Sequence, residues 1–145
     1  MDKGIYALLF RNPSCSLRVG SLGEVSFSKG WHIYVGSAKG PGGFARVERH
    51  RRLAHNRDRP PRWHVDYLLL SSWFTLVHTV CGPSGADLEC ALARSLGSGA
   101  VPSFGSGDCS CGSHLFHRGA KPLEEVAGAM RSLGLVPRSA TIKKE

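Results

Sequence analysis

The segment Gly4-Ile5-Tyr6-Ala7-Leu8-Leu9-Phe10-Arg11 constrains this chain more than any other. It is apolar almost throughout and is closed by Asn12-Pro13, so it reads as a buried strand ending in a turn. Ser16–Gly20 and Glu24–Phe27 are short alternating runs separated by glycines, which fits two strands of a meander. Trp31-His32-Ile33-Tyr34-Val35-Gly36 reads as a further strand, rich in aromatic and β-branched residues. After the break at Gly40-Pro41-Gly42-Gly43 the period changes. Phe44, Val47 and Leu53 fall near helical spacing with basic residues between them, predicting an amphipathic helix over Phe44–His55. Trp63–Ser71 fits either a short helix or a strand, and Phe74–Val80 reads as a strand. Asp87 is a candidate cap for a helix over Ala86–Leu96 that Gly97 stops. Pro122 suits the first turn of a last helix reaching about Leu133. Strands first, with helices interleaved later, predict an α/β sandwich with a mostly antiparallel central sheet flanked by helices. The domain is expected over residues 1–136, with 137–145 a disordered tail.

The chain has 145 residues, room for one sizeable core. Its longest apolar stretch, near Tyr67–Leu70, is far too short to span a bilayer. The N-terminus shows no export signal, so a cytoplasmic protein is expected. Nineteen Lys and Arg against eleven Asp and Glu leave a net charge of +8, which favours a polyanionic partner. Seven arginines, at 46, 49, 51, 52, 57, 59 and 62, crowd one segment that holds only Glu48 and Asp58 as acids. A charge run is ordinarily a solvated helix face. Arginine, however, meets phosphate in bidentate fashion where lysine acts as a point charge, so nucleic acid is the expected partner. The five cysteines are an odd number in a chain without an export signal, and read as reduced thiols or metal ligands rather than a disulfide framework.

Gly4-Ile5-Tyr6 and Tyr34-Val35-Gly36 resemble the paired tripeptides of the GIY-YIG nuclease superfamily. Gly36-Ser37-Ala38-Lys39 follows, then Arg46 and His50 at i, i+4 spacing, then Glu89 within Leu88-Glu89-Cys90-Ala91-Leu92-Ala93. Trp63–Leu68, Phe104–Cys111 and Ser113–Phe116 further resemble a mainly prokaryotic branch of small proteins in that superfamily. The resemblance covers about residues 3–117. It implies the GIY-YIG fold, metal-dependent phosphodiester hydrolysis, and a metal-binding role for Glu89. His64 sits where some homing-endonuclease relatives carry a functional histidine. The gap between the tripeptides is wider than in better-known members, as if Pro13–Gly30 held an extra hairpin. Position 37 is Ser, where the repair-nuclease branch has lysine.

The chemistry asks for these residue types on its own account. Hydrolysis of a phosphodiester needs an activated water, in-line attack, and neutralisation of charge on phosphorus and the leaving oxygen. Glu89 can hold Mg²⁺ or Mn²⁺, and Arg46 can clamp a phosphate oxygen. Tyr34 or Tyr6 can accept a proton from water if a nearby cation lowers the phenolic pKa. His50 and His64 suit proton transfer or leaving-group contact. Lys39, Arg49, Arg51, Arg52 and Arg62 are expected to grip the backbone, of DNA more than RNA. The bland alternatives are core tyrosines and a solvated helix face carrying Arg46 and His50. Glu89 is harder to dismiss, since an unpaired buried carboxylate is costly.

Cys109-x-Cys111-x-x-His114-x-x-His117 offers four N or S ligands for zinc. The alternative is two small buried thiols in a Gly-rich loop lining the cleft. Cys-x-Cys is tighter than the usual Cys-x-x-Cys knuckle, so no stoichiometric zinc is expected in that set. Asp66 and Asp108 can either support the metal site or cap and turn the chain. Beside the nuclease stand two other expectations: a non-cutting nucleic-acid-binding module and, more weakly, a zinc-stabilised structural subunit. A monomer or weak dimer is expected, with strong sequence specificity coming only from a protein partner.

Overall fold

The computed structural model describes residues 2–105 and 111–143. Its centre is β1 (Gly4–Asn12), which pairs antiparallel with β4 (Gly30–Ser37) on one side and β5 (Thr75–Pro83) on the other. Alternate side chains leave opposite faces of a strand. Ile5, Ala7 and Leu9 therefore enter one core while Tyr6, Leu8 and Phe10 enter a second, and all six are essentially inaccessible. That two-sided burial is why the segment is apolar at every position. With β6 (Leu115–Arg118) outside β4 and β7 (Arg138–Thr141) outside β5, the sheet order is β6-β4-β1-β5-β7, antiparallel at every pairing.

Helices cover both faces. Helix α1 (Ala45–Asn56) turns Val47, His50 and Leu53 inward and packs on α2 (His64–Leu70) over the Tyr6–Phe10 face. Helix α3 (Glu89–Leu96) and α4 (Leu123–Ser132) close the Ile5–Leu9 face, with Leu92, Leu96, Val126 and Met130 in its core. The antiparallel α/β sandwich expected from the chain is the fold. The hairpin expected between Pro13 and Gly30 is there too, as β2 (Cys15–Arg18) paired with β3 (Glu24–Phe27) in a small sheet of its own. No helix of the described residues is long and apolar enough to cross a membrane.

Trp63–Ser71, open between helix and strand in the sequence, is helix over His64–Leu70. Other local expectations are corrected. Helix α3 begins at Glu89 rather than Ala86, with Leu88 at its N-cap and no side-chain cap; Asp87 instead meets Lys39 at 3.5 Å. The tail is not disordered over Arg138–Thr141, because β5 offers it an open edge from His78 to Cys81. All four β7 residues are exposed, so no apolar alternation marks the strand in the sequence.

Burial of two histidines sets a pH dependence. His32 is 1% exposed, with Nδ1 2.7 Å from Asn12 Oδ1. Burial, helped by neighbouring His117, lowers its pKa to about 4. His50, also 1% exposed, is lowered to about 4 chiefly by burial. In the unfolded chain both titrate near 6.5, so between about pH 6.5 and pH 4 the unfolded state binds more protons. Stability is whole above that window and falls as pH drops through it, by about 2 kcal/mol per histidine at about pH 5. Urea unfolding at about pH 7.5 and pH 5 checks this; an unmoved midpoint would contradict neutral burial of the pair.

Candidate active site

The β1–β4 register sets the two tripeptides against each other, with Tyr6 opposite Gly36 and Leu8 opposite Tyr34. The Tyr6 ring lies across Gly36, where an added Cβ would fall inside it. Glycine is required there by space, since its backbone is of ordinary hand. Tyr6 and Tyr34 then lie on the same sheet face, ring centres 6.4 Å apart. Tyr34 is half-buried and Tyr6 fully buried.

Helix α1 delivers His50 onto this pair. The Tyr6 hydroxyl is 2.7 Å from His50 Nε2. Burial holds the Tyr6 phenol well above its ordinary pKa, Tyr34 adding to the effect and Arg46 opposing it. Tyr6 is thus a protonated phenol and His50 a neutral imidazole near neutral pH, which suits a hydrogen bond donated by Tyr6 to His50. The lowered phenolic pKa that Tyr6 would need in order to accept the proton of an attacking water is not what its surroundings produce, since desolvation outweighs the nearby Arg46. His50 lies buried behind Tyr6, 1% exposed.

One turn earlier, Arg46 donates through Nη1 to the Ser37 carbonyl at 2.9 Å. Its guanidinium lies 5.1 Å from the Trp63 ring centre, with Arg49 at 4.5 Å and Arg62 at 5.8 Å. Three cations gathered on one indole are held by cation–π attraction. Asp66 anchors the group from below. Its Oδ2 accepts the Arg62 and Trp63 backbone N–H groups at 2.8 and 3.2 Å and pairs with Arg49 at 3.4 Å. Asp66 is therefore the N3 member of a capping box on α2 and an arginine partner.

Helix α2 supplies His64, whose Nδ1 accepts the Gly105 N–H at 2.8 Å. That bond leaves Nε2 as the protonated nitrogen of the neutral ring, and burial lowers the His64 pKa, so a neutral donor is favoured. From the opposite core, α3 brings Glu89 with its side chain 21% exposed and Oε2 3.5 Å from His114 Nδ1. Burial first, then Asp87, raise the Glu89 pKa against Arg46 and Lys39. Tyr6, Tyr34, Arg46, Arg62, Trp63, His64, Glu89 and His114 together wall an open cleft of about 370 Å³. A carboxylate raised by desolvation in a cleft is one that a cation would stabilise. One carboxylate amid water-accessible space suits a hard ion that keeps most of its waters, so the donor set fits Mg²⁺ or Mn²⁺.

Tyr6, Tyr34, Arg46, His64 and Glu89 thus share one cleft, with His50 directly behind it. Of the expected backbone-gripping residues, Arg62 lines the cleft and Arg49 flanks it. Arg51 and Arg52 do not: they border a second cavity of about 370 Å³ at the far end of α1, floored by Phe74 and Leu76. Arg51 also pairs with Glu48. Lys39 is exposed and tied to Asp87. Among the loop ligands, Cys109 and Asp108 lie outside the described residues. His117 turns away, its Nε2 2.9 Å from the Lys29 carbonyl. Cys111 pairs with Cys90, so the expectation of reduced cysteines is corrected for these two. Cys15 and Cys81 are free thiols. Sequence reasoning missed Trp63, His114 as the partner of Glu89, and Cys90 as the partner of Cys111. A Trp placed directly after one of the clustered arginines was the available signal for the first.

No curated protein and no solved structure matches the chain. A family model does, over residues 5–135, described as a domain of unknown function, DUF123. Those residues run from the second residue of β1 through α4 and take in every group of the cleft. The chain therefore belongs to the DUF123 family.

Proposed function

We propose that the protein is a metal-dependent nuclease of the GIY-YIG type, hydrolysing phosphodiester bonds in DNA more readily than in RNA, and that it works in the cytoplasm. The observation that carries this is the convergence in one cleft of Tyr34, Arg46, His64 and Glu89, contributed by β4, α1, α2 and α3. The resemblance of the two tripeptides, Arg46, His50 and Glu89 to that superfamily supports it. Arg46 and Arg62 bind the non-bridging phosphate oxygens and offset the charge that grows on them. Glu89 holds the divalent ion, which when bound polarises a phosphate oxygen and neutralises its charge. Tyr34, the less buried tyrosine, orients the attacking water and, in its phenolate form with its own proton already lost to solvent, takes up the water's proton. His64 stabilises the leaving oxygen by a hydrogen bond from its Nε2–H, solvent supplying the proton, while Tyr6 and His50 keep α1 and Arg46 in register with β1.

The Trp63 cluster alone supports a second reading. Three guanidinium groups on an indole that is 38% exposed can grip a backbone and stack a base without cutting. Incubation with nicked, branched and single-stranded DNA and with RNA separates the two. Product that needs Mg²⁺ or Mn²⁺ supports the nuclease; tight binding without product supports the module.

Either reading predicts salt-sensitive binding. Anisotropy titrations should show affinity falling steeply with salt, and Arg62→Ala should lower the slope by about one. Arg49→Ala should weaken binding as well, whereas Arg51→Ala should do less, since Arg51 lies off the cleft. Binding that is flat from low to physiological salt would make the arginine cluster a solvated face.

A further inference from the structure

Cys90 stands in the first turn of α3, one residue after Glu89, and Cys111 lies 21 residues on, in the approach to β6. Their α-carbons are 5.6 Å apart and the sulfurs are joined as a disulfide. His114 closes a third corner. Its Nε2 is 2.7 Å from Cys111 Sγ. The ligand atoms of all three residues lie within 4.8 Å of one another. The second ring nitrogen, Nδ1, faces Glu89 Oε2 at 3.5 Å, and His114 is only 3% exposed. An imidazole with one nitrogen on a sulfur pair and the other on a carboxylate has the arrangement by which proteins orient metal-ligating histidines.

We propose that in the reduced chain Cys90 Sγ, Cys111 Sγ and His114 Nε2 bind one zinc-class ion, with water in the fourth position and Glu89 orienting His114. Two thiolates and an imidazole do not suit Mg²⁺ or Ca²⁺, which take oxygen ligands, but they match a borderline-soft d¹⁰ ion in tetrahedral coordination. The disulfide is the oxidised form of the same site. A thiol reductant delivers one electron and one proton to each sulfur and becomes a disulfide itself. Both cysteines then release their protons as the ion binds. Zn–S bonds of about 2.3 Å place the sulfurs about 3.8 Å apart. This site differs from the Cys109-to-His117 set, since α3 supplies one ligand and His117 none. It clamps α3 to the segment before β6 at the residue next to Glu89, and it stands whether or not the cleft cuts nucleic acid.

The test uses the full chain, reduced with a phosphine and freed of metal, titrated with Co²⁺ and then Zn²⁺ without oxygen. One equivalent of cobalt should give thiolate-to-metal charge transfer and the strong visible bands of tetrahedral coordination, and zinc should displace it. Cys90→Ser, Cys111→Ser and His114→Ala should each weaken binding at least tenfold, and Glu89→Gln roughly tenfold to a hundredfold. Should a variant fail to fold, the wild-type protein decides alone: zinc should protect Cys90 and Cys111 together from alkylation, read by peptide mass spectrometry. Absence of thiolate charge transfer in the reduced wild type, or alkylation of both cysteines at an unchanged rate with zinc present, overturns the proposal.

Discussion

Glu89→Ala protein is expected to lose metal-dependent cleavage by at least a hundredfold while binding nucleic acid as well as wild type or slightly better. The two effects part because the carboxylate acts differently on each. Facing a phosphate with no metal present, Glu89 repels it, so its removal does not harm affinity. In the proposed mechanism Glu89 anchors the metal in the cleft, and losing it would remove neutralisation needed in the transition state, about 3 kcal/mol or more. Arg46→Ala should behave otherwise, losing rate and affinity together, since its guanidinium meets the phosphate in the ground state too. Single-turnover rates beside anisotropy give both quantities. Cleavage by Glu89→Ala at the wild-type rate would take Glu89 out of the metal site.

Gly36→Ala should damage both stability and the cleft through a single added methyl. The new Cβ would occupy the volume of the Tyr6 ring, which is itself 1% exposed and packed against His50 at a ring separation of 5.5 Å. Neither side can give way cheaply: β1 is fixed by strands on both edges, and interiors have little free volume. A loss of about 1–3 kcal/mol is expected from overpacking. It should come with a large fall in cleavage, because moving Tyr6 breaks its bond to His50 and shifts α1 with Arg46. Tyr6→Phe keeps the ring and removes only the hydroxyl, so it should cost about 1 kcal/mol and give no relief to Gly36→Ala. Tyr6→Val empties the space the methyl needs. Denaturant unfolding of the Gly36→Ala, Tyr6→Val and double variants should therefore show strong non-additivity. Additive losses would mean that the ring and the methyl do not compete.

What was legible in the chain divides along the range of the interactions. The Gly4–Arg11 segment announced a buried strand because its environment is written in its own composition. The helix over α1 was visible because Phe44, Val47 and Leu53 fall near helical spacing with basic residues between them. Strand β7 had no such mark, since its pairing uses backbone groups and its side chains are exposed. The direction of the Tyr6 pKa was hidden for a related reason: a strand position shows that a ring is buried, but not that burial outweighs a cation nearby. The candidate site residues were found through their types and order. Their partners were not. Trp63 gathers Arg46, Arg49 and Arg62 only once α1 lies against α2, and Cys90 meets Cys111 and His114 only across the gap between α3 and β6. The Trp beside Arg62 hints at the first of these meetings, and no local pattern encodes the second.

The most direct measurement of the central claim is the initial rate of product formation by wild-type protein on the panel of nicked, branched and single-stranded substrates, with Mg²⁺, with Mn²⁺ and with chelator. The account predicts cleavage of at least one substrate that requires the ion, stops on chelation and returns when the ion is restored. Failure to cut any of them under any divalent ion, by protein that still binds them, would contradict it.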